Sequence, residues 1–215
     1  MRYWFQLTNY LSMKLLLENW RRYLNESKVV IPGDIYEEVL AVFDFDETIA
    51  DTHAKTVVRS KNSGKALRRL DQKQLDATAP KSGEEFDFSE FDDVDYAEEK
   101  KYITDKMKKF IDDPNAQVVV ATARRERAQD SIQRYLNFLG IPTRSLIVQG
   151  LTGGSKGDYI QKIIKKNPSI KKLYFFDDSE ANVQDVWKKV DKFVKDTGRE
   201  LIIKAAQVLS EGVPR

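Results

Sequence analysis

The sequence predicts an α/β protein built on a doubly wound parallel sheet. Five short apolar runs of strand length alternate with stretches that have helical periodicity. Acidic residues directly follow two of these runs, as expected where parallel strands end at a ligand crevice. The length of 215 residues suits one domain with a modest insertion. We therefore expect one α/β domain rather than two independent folds.

The core elements follow from hydrophobic patterning. The predicted strands span residues 39–45, 117–121, 145–148, 172–176 and 200–208. Helical periodicity covers residues 128–139, 159–165 and 181–194. Gly198 can end the last of these helices. The first strand is nearly all apolar, which is typical of a strand covered on both faces. Residues 35–54 and 114–215 together form the predicted core.

Residues 55–113 break the alternation and are too long for one crossover, so they predict an insertion. Residues 55–60 and 66–70 flank a turn-rich linker and predict a β-hairpin. Seven basic residues crowd it: Lys55, Arg59, Lys61, Lys65, Arg68, Arg69 and Lys73. Residues 84–99 then hold nine acids and no base. The basic hairpin either steers a polyanion or is a solvated segment, and the acidic stretch is able to neutralise it.

Composition excludes several classes of protein. The chain is 41% hydrophobic and 33% charged, which is typical of a globular protein and not of collagen, coiled coils or disorder. Without cysteine, disulfide scaffolds, thiolate catalysis and cysteine-ligated zinc are excluded. A net charge of +2 says little about partners, so any polyanion hypothesis depends on local clusters. We expect a cytoplasmic protein.

Residues 1–34 predict an N-terminal helix and a linker. Apolar residues recur at helical spacing over residues 11–24, with charged residues on the other face. Polar residues interrupt every apolar run, so we expect neither a signal peptide nor a membrane span. The helix either packs on the domain or binds a partner. The opening residues also resemble those of some tailed-phage proteins.

Four acids follow the first and fourth predicted strands: Asp44, Asp46, Asp177 and Asp178. Side chains alternate along an extended segment, so Asp44 and Asp46 share a face while the phenylalanines beside them turn away. Two like charges ~4 Å apart cost on the order of 4 kcal/mol at an effective dielectric of 20. A bound cation would remove this repulsion. Oxygen ligands without cysteine favour Mg²⁺.

These residues lie in motifs that resemble those of the haloacid dehalogenase (HAD) superfamily. The segment AVFDFDETIA is similar to its nucleophile motif. The segment VVVATAR, which contains an apolar strand ending at Thr122, is similar to the second motif. Lys156 in GGSKGDYI and the acids of FFDDSEAN resemble the third and fourth. The motifs follow one another in the family's order over residues 39–182. The resemblance implies a HAD-like Rossmannoid fold with a small cap insertion that contains the hairpin.

The resemblance also implies a catalytic role for each motif. Asp44 would be the nucleophile that forms an aspartyl-phosphate, and Asp46 the general acid and base. Thr122 would hydrogen-bond a phosphoryl oxygen, and Lys156 would balance the charge of nucleophile and phosphate. Dehalogenases lack the second acid, so Asp46 favours phosphoryl transfer over carbon–halogen cleavage.

For Mg²⁺ the resemblance implies the Asp44 carboxylate, the Asp46 backbone carbonyl and an acid of the fourth motif as ligands. We favour Asp178 over Asp177 as the direct ligand. Two positions depart from the family pattern. Glu47 replaces a common glycine, and Asn182 replaces a frequent second aspartate, which leaves the metal site one charge fewer.

Two further side chains are candidate substrate contacts, Thr48 in the first motif and Arg124 after the second. Arg124 either grips a substrate anion or is solvated.

The sequence thus predicts a Mg²⁺-dependent phosphomonoester hydrolase. Its substrate would be a nucleotide or a nucleic-acid end, or else a small metabolite or a phosphoprotein. A non-catalytic binding module on the same fold is the alternative from another class.

Overall fold

The structure is a computed structural model, which describes residues 31–32, 35–71, 74–75, 77–94, 97–152 and 154–209. The predicted helix over residues 11–24 and the phage-like opening lie outside the described residues. Lys73 of the basic hairpin lies outside them as well.

The elements of the described chain alternate much as predicted. The strands are β1 (Val39–Phe43), β2 (Ala50–Asp51), β3 (Thr56–Ser60), β4 (Ala66–Leu70), β5 (Glu84–Asp87), β6 (Glu98–Glu99), β7 (Ala116–Thr122), β8 (Leu146–Gly150), β9 (Lys172–Asp177) and β10 (Ile202–Gln207). The helices are α1 (Lys101–Ile111), α2 (Gln129–Phe138), α3 (Lys156–Lys166) and α4 (Glu180–Thr197). All the predicted core strands and helices are confirmed, with ends that shift by a few residues. Gly198 ends α4 in the left-handed conformation with φ of 66°, as predicted.

The central sheet of the described chain has five parallel strands in the order β10-β9-β1-β7-β8. From β1 the chain builds outward to β7 and β8, and then crosses to the other side of β1 to form β9 and β10. The order therefore reverses between β1 and β9, and their carboxyl ends flank the switch point where ligands bind in such sheets. The predicted fold class, a HAD-like Rossmannoid sheet with an insertion, is confirmed.

Alternating side chains of β1 pack on opposite faces of the sheet. Leu40 and Val42 belong to a buried cluster with residues of α3 and α4. Phe43 belongs to the opposite cluster, with residues of α1 and α2, and stacks on Phe176 at 4.9 Å between ring centroids. Both faces are thus covered, as the apolar character of the strand predicts.

Helix α1 is an element that the sequence analysis did not predict. It lies within the range assigned to the insertion, yet its residues Ile103 and Met107 are fully buried in the cluster around Phe43. Four lysines and one aspartate in the helix obscure this apolar spacing in the sequence. No helix in the described ranges combines the length and apolar character needed to cross a membrane.

The insertion forms two small antiparallel sheets in the described part of the chain. Strands β3 and β4 form the predicted hairpin, and β5 pairs with the other edge of β3. Strand β6 returns to pair with β2 just after the first motif, which closes the base of the insertion. Strand β5 comes from the acidic stretch, which the sequence analysis did not predict as a strand.

The acidic stretch neutralises part of the basic hairpin, as the sequence analysis anticipated. Three ion pairs link them: Arg59 to Asp87 at 2.6 Å, Arg68 to Glu84 at 2.7 Å and Arg69 to Glu90 at 2.5 Å. The Arg68 pair is bidentate, and its hydrogen bonds lower the pKa of Glu84 to about 2. These arginines therefore have carboxylate partners within the insertion itself.

Candidate active site

The loop that follows β1 turns tightly around the Phe45 carbonyl. This oxygen accepts hydrogen bonds from the backbone N–H groups of Ile49 at 2.9 Å and Ala50 at 3.1 Å. Within the turn, Glu47 has a φ of 54°, in the left-handed region that costs other residues about 1–2 kcal/mol relative to glycine. The backbone conformation thus accounts for the glycine that the family often has here.

A buried lysine bridges carboxylates from the ends of β1 and β9. The Nζ atom of Lys156 lies 2.7 Å from Oδ1 of Asp44 and 2.6 Å from Oδ2 of Asp177. All three residues are buried, and Asp177 has no exposed surface. Two of the predicted motifs and the predicted lysine therefore meet at the switch point of the sheet.

The pKa values of Asp44, Asp178 and Lys156 are all raised by their surroundings. Burial raises the pKa of Asp44 well above its ordinary value; Lys156 opposes this effect, while Asp177 and Asp46 reinforce it. Burial also raises the pKa of Asp178, with further repulsion from Asp177. Burial alone would lower the pKa of Lys156, but its two carboxylate partners outweigh that effect and raise it. The lysine is thus a firmly held cation in a site with an excess of negative charge.

The two acids of the fourth motif have different surroundings. Both Asp177 oxygens are engaged: Oδ2 accepts from Lys156, and Oδ1 accepts from the Ser179 backbone at 2.9 Å and from Asn182 Nδ2 at 3.0 Å. Asn182 thus presents its amide N–H to Asp177. Asp178 is only partly buried, and its carboxylate lies within the same acidic cluster.

Thr48 connects the first motif to the fourth. Its side chain is fully buried, and its hydroxyl accepts a hydrogen bond of 2.8 Å from the Asp178 backbone N–H. This bond fixes the loop that carries the acids of β9 against the loop that follows β1. The contact with substrate that the sequence analysis assigned to Thr48 stays a prediction.

Lys156 reaches the cluster from the first turn of α3. Ser155 caps this helix, and its hydroxyl accepts from the Asp158 backbone N–H at 3.0 Å. Asp185 of α4 accepts from the Ser155 hydroxyl at 2.6 Å and from the Gly157 N–H at 3.2 Å. A Cβ atom at Gly157 would lie 2.6 Å from Asp185 Oδ2, so a larger residue would have to displace the Asp185 side chain. Helix α4 therefore fixes the start of α3, and with it Lys156.

Asp46 has a separate set of partners on the side of β7. Arg124 donates to its carboxylate from Nε, at 3.0 Å to Oδ2, and from Nη2, at 2.7 Å to Oδ1. The hydroxyl of Thr52 donates to Oδ1 at 2.7 Å, and that of Thr122 lies 3.3 Å from Oδ2. The Asp46 side chain nevertheless keeps 27% of its surface exposed. Asp46 is thus held firmly and remains accessible.

The structure places Arg124 beside Asp46 with 2% of its surface exposed, so it is not a solvated arginine. Its predicted contact with substrate stays a prediction, since the bonds described above are all within the protein. Thr122 is fully buried at the end of β7, between Asp46 and the Arg124 backbone N–H.

The residues present fit a hard divalent cation. Oxygen atoms of Asp44, Asp177 and Asp178 lie within 4.8 Å of one another. The charge of Asp177 adds to the effect of burial in raising the pKa of Asp44 and of Asp178, and a bound cation would oppose this repulsion. An all-carboxylate donor set with room for water and phosphate oxygens is typical of Mg²⁺ sites.

A cavity of about 300 Å³ adjoins Asp178 on the side of β10. Its lining residues are Glu47, Asp51, Lys100, Asp178, Gln207, Val208 and Leu209. Three carboxyl groups and one ammonium group therefore face the space next to the acidic cluster, and burial raises the pKa of the Glu47 carboxyl to about 7. Such a lining disfavours a ligand that brings several negative charges.

The structure thus brings together every site residue that the sequence analysis named, in two neighbouring groups around Asp44 and around Asp46. Sequence reasoning missed Thr52 and Asp185. Thr52 lies six residues after Asp46 in a region without periodicity, so nothing in the sequence indicated its contact. Asp185 lies on the polar side of α4, where a bonded acid cannot be distinguished from a solvated one.

Comparisons with known proteins give only distant likenesses. The search of known families and the search of curated proteins find no match. The HAD domain of the effector protein Lem4 from Legionella pneumophila aligns with a TM-score of 0.42 and 15% identity, over 79% of this chain and 86% of that chain. The Legionella pneumophila effector Ceg4 aligns with a TM-score of 0.47 and 16% identity, over 84% and 90% of the two chains. At these values the likenesses carry no argument by themselves.

The strand order, the acids at the switch point and the insertion after the first motif describe the fold directly. The chain has a HAD-like fold, with its acidic cluster where the order of the parallel strands reverses.

Proposed function

We propose that this protein is a Mg²⁺-dependent phosphomonoester hydrolase in which Asp44 is the nucleophile. One observation carries the proposal: Asp44 lies at the switch point between a buried lysine and a second acid able to bind a cation. A nucleophilic carboxylate needs a nearby positive charge to accept a phosphoryl group, and Lys156 supplies one at 2.7 Å. A purely structural ion pair would not need the additional acids of the cluster.

The first chemical step uses Asp44 and Asp46 in different roles. An Asp44 oxygen attacks phosphorus in line, so that a bond forms between this oxygen and phosphorus while the ester bond breaks. Asp46 gives its proton to the departing ester oxygen. Lys156 stabilises the charge that develops on the phosphoryl group.

The second step regenerates the nucleophile. Asp46, now ionised, takes a proton from a water molecule whose oxygen attacks phosphorus, and the bond from phosphorus to Asp44 breaks. Inorganic phosphate leaves, and both acids return to their starting states. The exposed part of the Asp46 side chain gives water access to this carboxylate.

Mg²⁺ would be held by the carboxylates of Asp44 and Asp178 and by the Asp46 backbone carbonyl, and would supply charge that neutralises phosphate. The bonds of Asp177 support its assignment as the residue that holds Lys156 and Asn182, which leaves Asp178 as the direct ligand. A cation in this place would offset the repulsion from Asp177, which adds to the effect of burial in raising the pKa of both Asp44 and Asp178.

For the substrate, the charges of the insertion favour a small phosphate ester or a phosphorylated protein side chain over a nucleic-acid end. Arg59, Arg68 and Arg69 of the hairpin are paired with acids of the same insertion. The cavity beside Asp178 is lined by three carboxyl groups. Both features weaken attraction of a polyanion, whose binding depends on unpaired basic residues.

A phosphatase assay tests the proposal. We expect Mg²⁺-dependent turnover of an aryl phosphate, and none by Asp44→Asn, which keeps the shape of the side chain but loses the nucleophilic oxygen. Asp105→Asn, on the exposed face of α1, is the matched control and should retain full activity. A panel of phosphorylated metabolites, a phosphopeptide, nucleotides and a 3′-phosphorylated oligonucleotide then ranks the substrate classes.

Turnover unchanged in Asp44→Asn contradicts the assignment of the nucleophile. No turnover of any phosphate ester favours the binding module on this fold. Preference for the oligonucleotide, with a steep dependence on salt, would overturn the substrate class proposed above.

A further inference from the structure

Arg124 is the largest of the fully buried side chains in the described structure, and its guanidinium group lies against Asp46. Burying a guanidinium group costs free energy unless its N–H groups are hydrogen-bonded. The hydrogen-bond partners of Arg124 therefore indicate its role. Those partners come from two separate parts of the chain, the first motif and the insertion.

The contacts use the fixed shape of the guanidinium group. Nε and Nη2 both donate to the Asp46 carboxylate, while Nη1 donates to the backbone carbonyls of Phe91 at 2.6 Å and Asp93 at 2.9 Å. The group also lies over the rings of Phe45 and Phe91, at 5.7 and 5.5 Å from their centroids. Four of its five N–H groups are thereby engaged, in one plane.

The insertion residues that bind Arg124 are themselves fastened to the core. The hydroxyl of Ser131 on α2 donates to the Asp93 carboxylate at 2.8 Å and accepts from the Val94 N–H at 3.1 Å. Arg127 pairs with Asp92 at 2.8 Å. The two carbonyls are therefore fixed in place, and they fix the plane of the guanidinium group.

We propose that Arg124 is a positioning residue that orients the Asp46 carboxylate for proton transfer and couples this orientation to the docked insertion. The inference rests on the proposed function, in which Asp46 is the acid and base. A free aspartate can rotate about two side-chain bonds, whereas a carboxylate held by a planar fork and by Thr52 has one orientation. Lysine at this position would keep the charge and lose the fork.

The test compares two leaving groups. An alkyl phosphate needs a proton on its departing oxygen, whereas 2,4-dinitrophenyl phosphate releases a stable phenolate without one. For Arg124→Lys we expect kcat/KM to fall about a hundredfold with the alkyl phosphate and only a few-fold with the dinitrophenyl ester. Loss of a merely structural contact would lower both values equally.

The dinitrophenyl ester gives a second readout. Formation of the aspartyl-phosphate does not need Asp46 with this ester, but its hydrolysis does. Arg124→Lys should therefore release one phenolate per active site in a rapid burst before slow turnover. Absence of a burst, together with equal losses for both esters, would overturn the proposal.

Two other variants distinguish a loss of Asp46 positioning from a folding defect. Thr52→Val removes the other short bond to Asp46 without exposing a buried charge, and should show the same dependence on leaving group to a smaller extent. Arg59→Gln breaks an ion pair within the insertion that touches neither Asp46 nor the carbonyls bonded to Arg124, and should leave the ratio between the two esters unchanged. An altered ratio in Arg59→Gln would contradict the specific role of Arg124.

A measurement on the metal-free protein is independent of turnover. The Arg124 Nε–H proton, identified by its absence from the NMR spectrum of Arg124→Lys, should exchange slowly with solvent and lose this protection in Asp46→Ala. Rapid exchange in the unmodified protein would contradict the contact itself. If Asp44→Asn keeps full turnover, the proposed function fails; if it is inactive while Arg124→Lys loses both esters equally, only this inference fails.

Discussion

Asp44 and Asp46 lie two residues apart on one loop, yet the structure gives them opposite surroundings. Asp44 is buried against a lysine that it shares with Asp177, and burial raises its pKa well above the ordinary value. Asp46 keeps 27% of its side chain exposed and is held by a guanidinium fork and two hydroxyls. One side of the site is thus an acidic cluster completed by a cation, and the other is a carboxylate fixed in orientation.

The difference shows how one residue type can serve two kinds of chemistry. A nucleophile needs a concentrated positive field close to the phosphoryl group, which the Asp44 side provides through Lys156. A general acid and base needs access to water and a fixed direction for its proton, which the Asp46 side provides. Replacing Lys156 tests the positive field around Asp44, and replacing the acids of the fourth motif tests the metal ligands. Replacing Thr48 tests the connection between the loops after β1 and β9.

Removal of the lysine should have the largest effect. Lys156→Met leaves Asp44 and Asp177 buried without their cation, so we expect activity to fall at least about a hundredfold. The free energy of unfolding should fall by about 3–5 kcal/mol near neutral pH. Because the folded-state pKa of Asp44 is already raised, the folded variant takes up protons more readily than the unfolded chain, and its loss of stability should shrink as the pH falls.

Urea unfolding at several pH values checks this prediction. Lys162→Met, on the exposed face of the same helix, is the control and should change neither activity nor stability. A stability loss in Lys156→Met that does not depend on pH would contradict the account of the acidic cluster.

Replacing the two acids of the fourth motif should affect Mg²⁺ binding and thermal stability to different extents. Asp178→Ala should weaken Mg²⁺ binding at least about tenfold, measured by calorimetric titration. Asp177→Ala should weaken it less, but should lower thermal stability more, because Lys156 and Asn182 lose their partner. A titration in which Asp177→Ala loses the greater affinity would reverse the ligand assignment.

Thr48→Val tests the link between the loop after β1 and the loop after β9. The variant leaves the Asp178 N–H without its acceptor, so we expect a loss of about 1–3 kcal/mol in the free energy of unfolding. Thr48→Ser keeps the hydroxyl and should retain most of the stability. A rise in KM with unchanged stability would instead support the contact with substrate predicted from the sequence.

The smallest effect concerns Glu47, which follows Asp46 in the turn after β1. At φ of 54°, glycine is preferred to any residue with a Cβ atom, so Glu47→Gly should be about 1 kcal/mol more stable than Glu47→Ala. Both variants lack the carboxyl group, so the difference between their free energies of unfolding reports the backbone conformation. Equal stability of the two in chemical denaturation would contradict the strained conformation.

Much of the fold could be predicted from the sequence because the core strands are short apolar runs, two of which are followed directly by acids. Helix α1 was missed because its four lysines and one aspartate interrupt the pattern of the apolar residues that it buries, such as Met107. Strand β5 was missed because its sequence, Glu84–Asp87, has low strand propensity. In the structure its acids pair with Arg59 of the neighbouring strand β3 and with Arg68 of β4, on the other side of β3.

The site residues that lie at the ends of strands could be predicted from the sequence. The rule that parallel strands end at one edge sufficed to bring Asp44, Asp177 and Asp178 together. The partners of Arg124 were not predictable, because sequence does not reveal that an arginine is buried or which carboxylate it meets. The bond from Asn182 Nδ2 to Asp177 was likewise not predictable, because the sequence shows only that an amide replaces the frequent aspartate.

The central claim is that Asp44 itself takes up the phosphoryl group. The most direct measurement is mass spectrometry of Asp46→Asn after incubation with Mg²⁺ and 2,4-dinitrophenyl phosphate and an acid quench. We predict an added mass of one phosphoryl group, mapped to Asp44 and absent when Asp44 is also replaced by asparagine. A phosphoryl group on another residue, or turnover by the unsubstituted protein without any covalent adduct in the variant, would contradict the account.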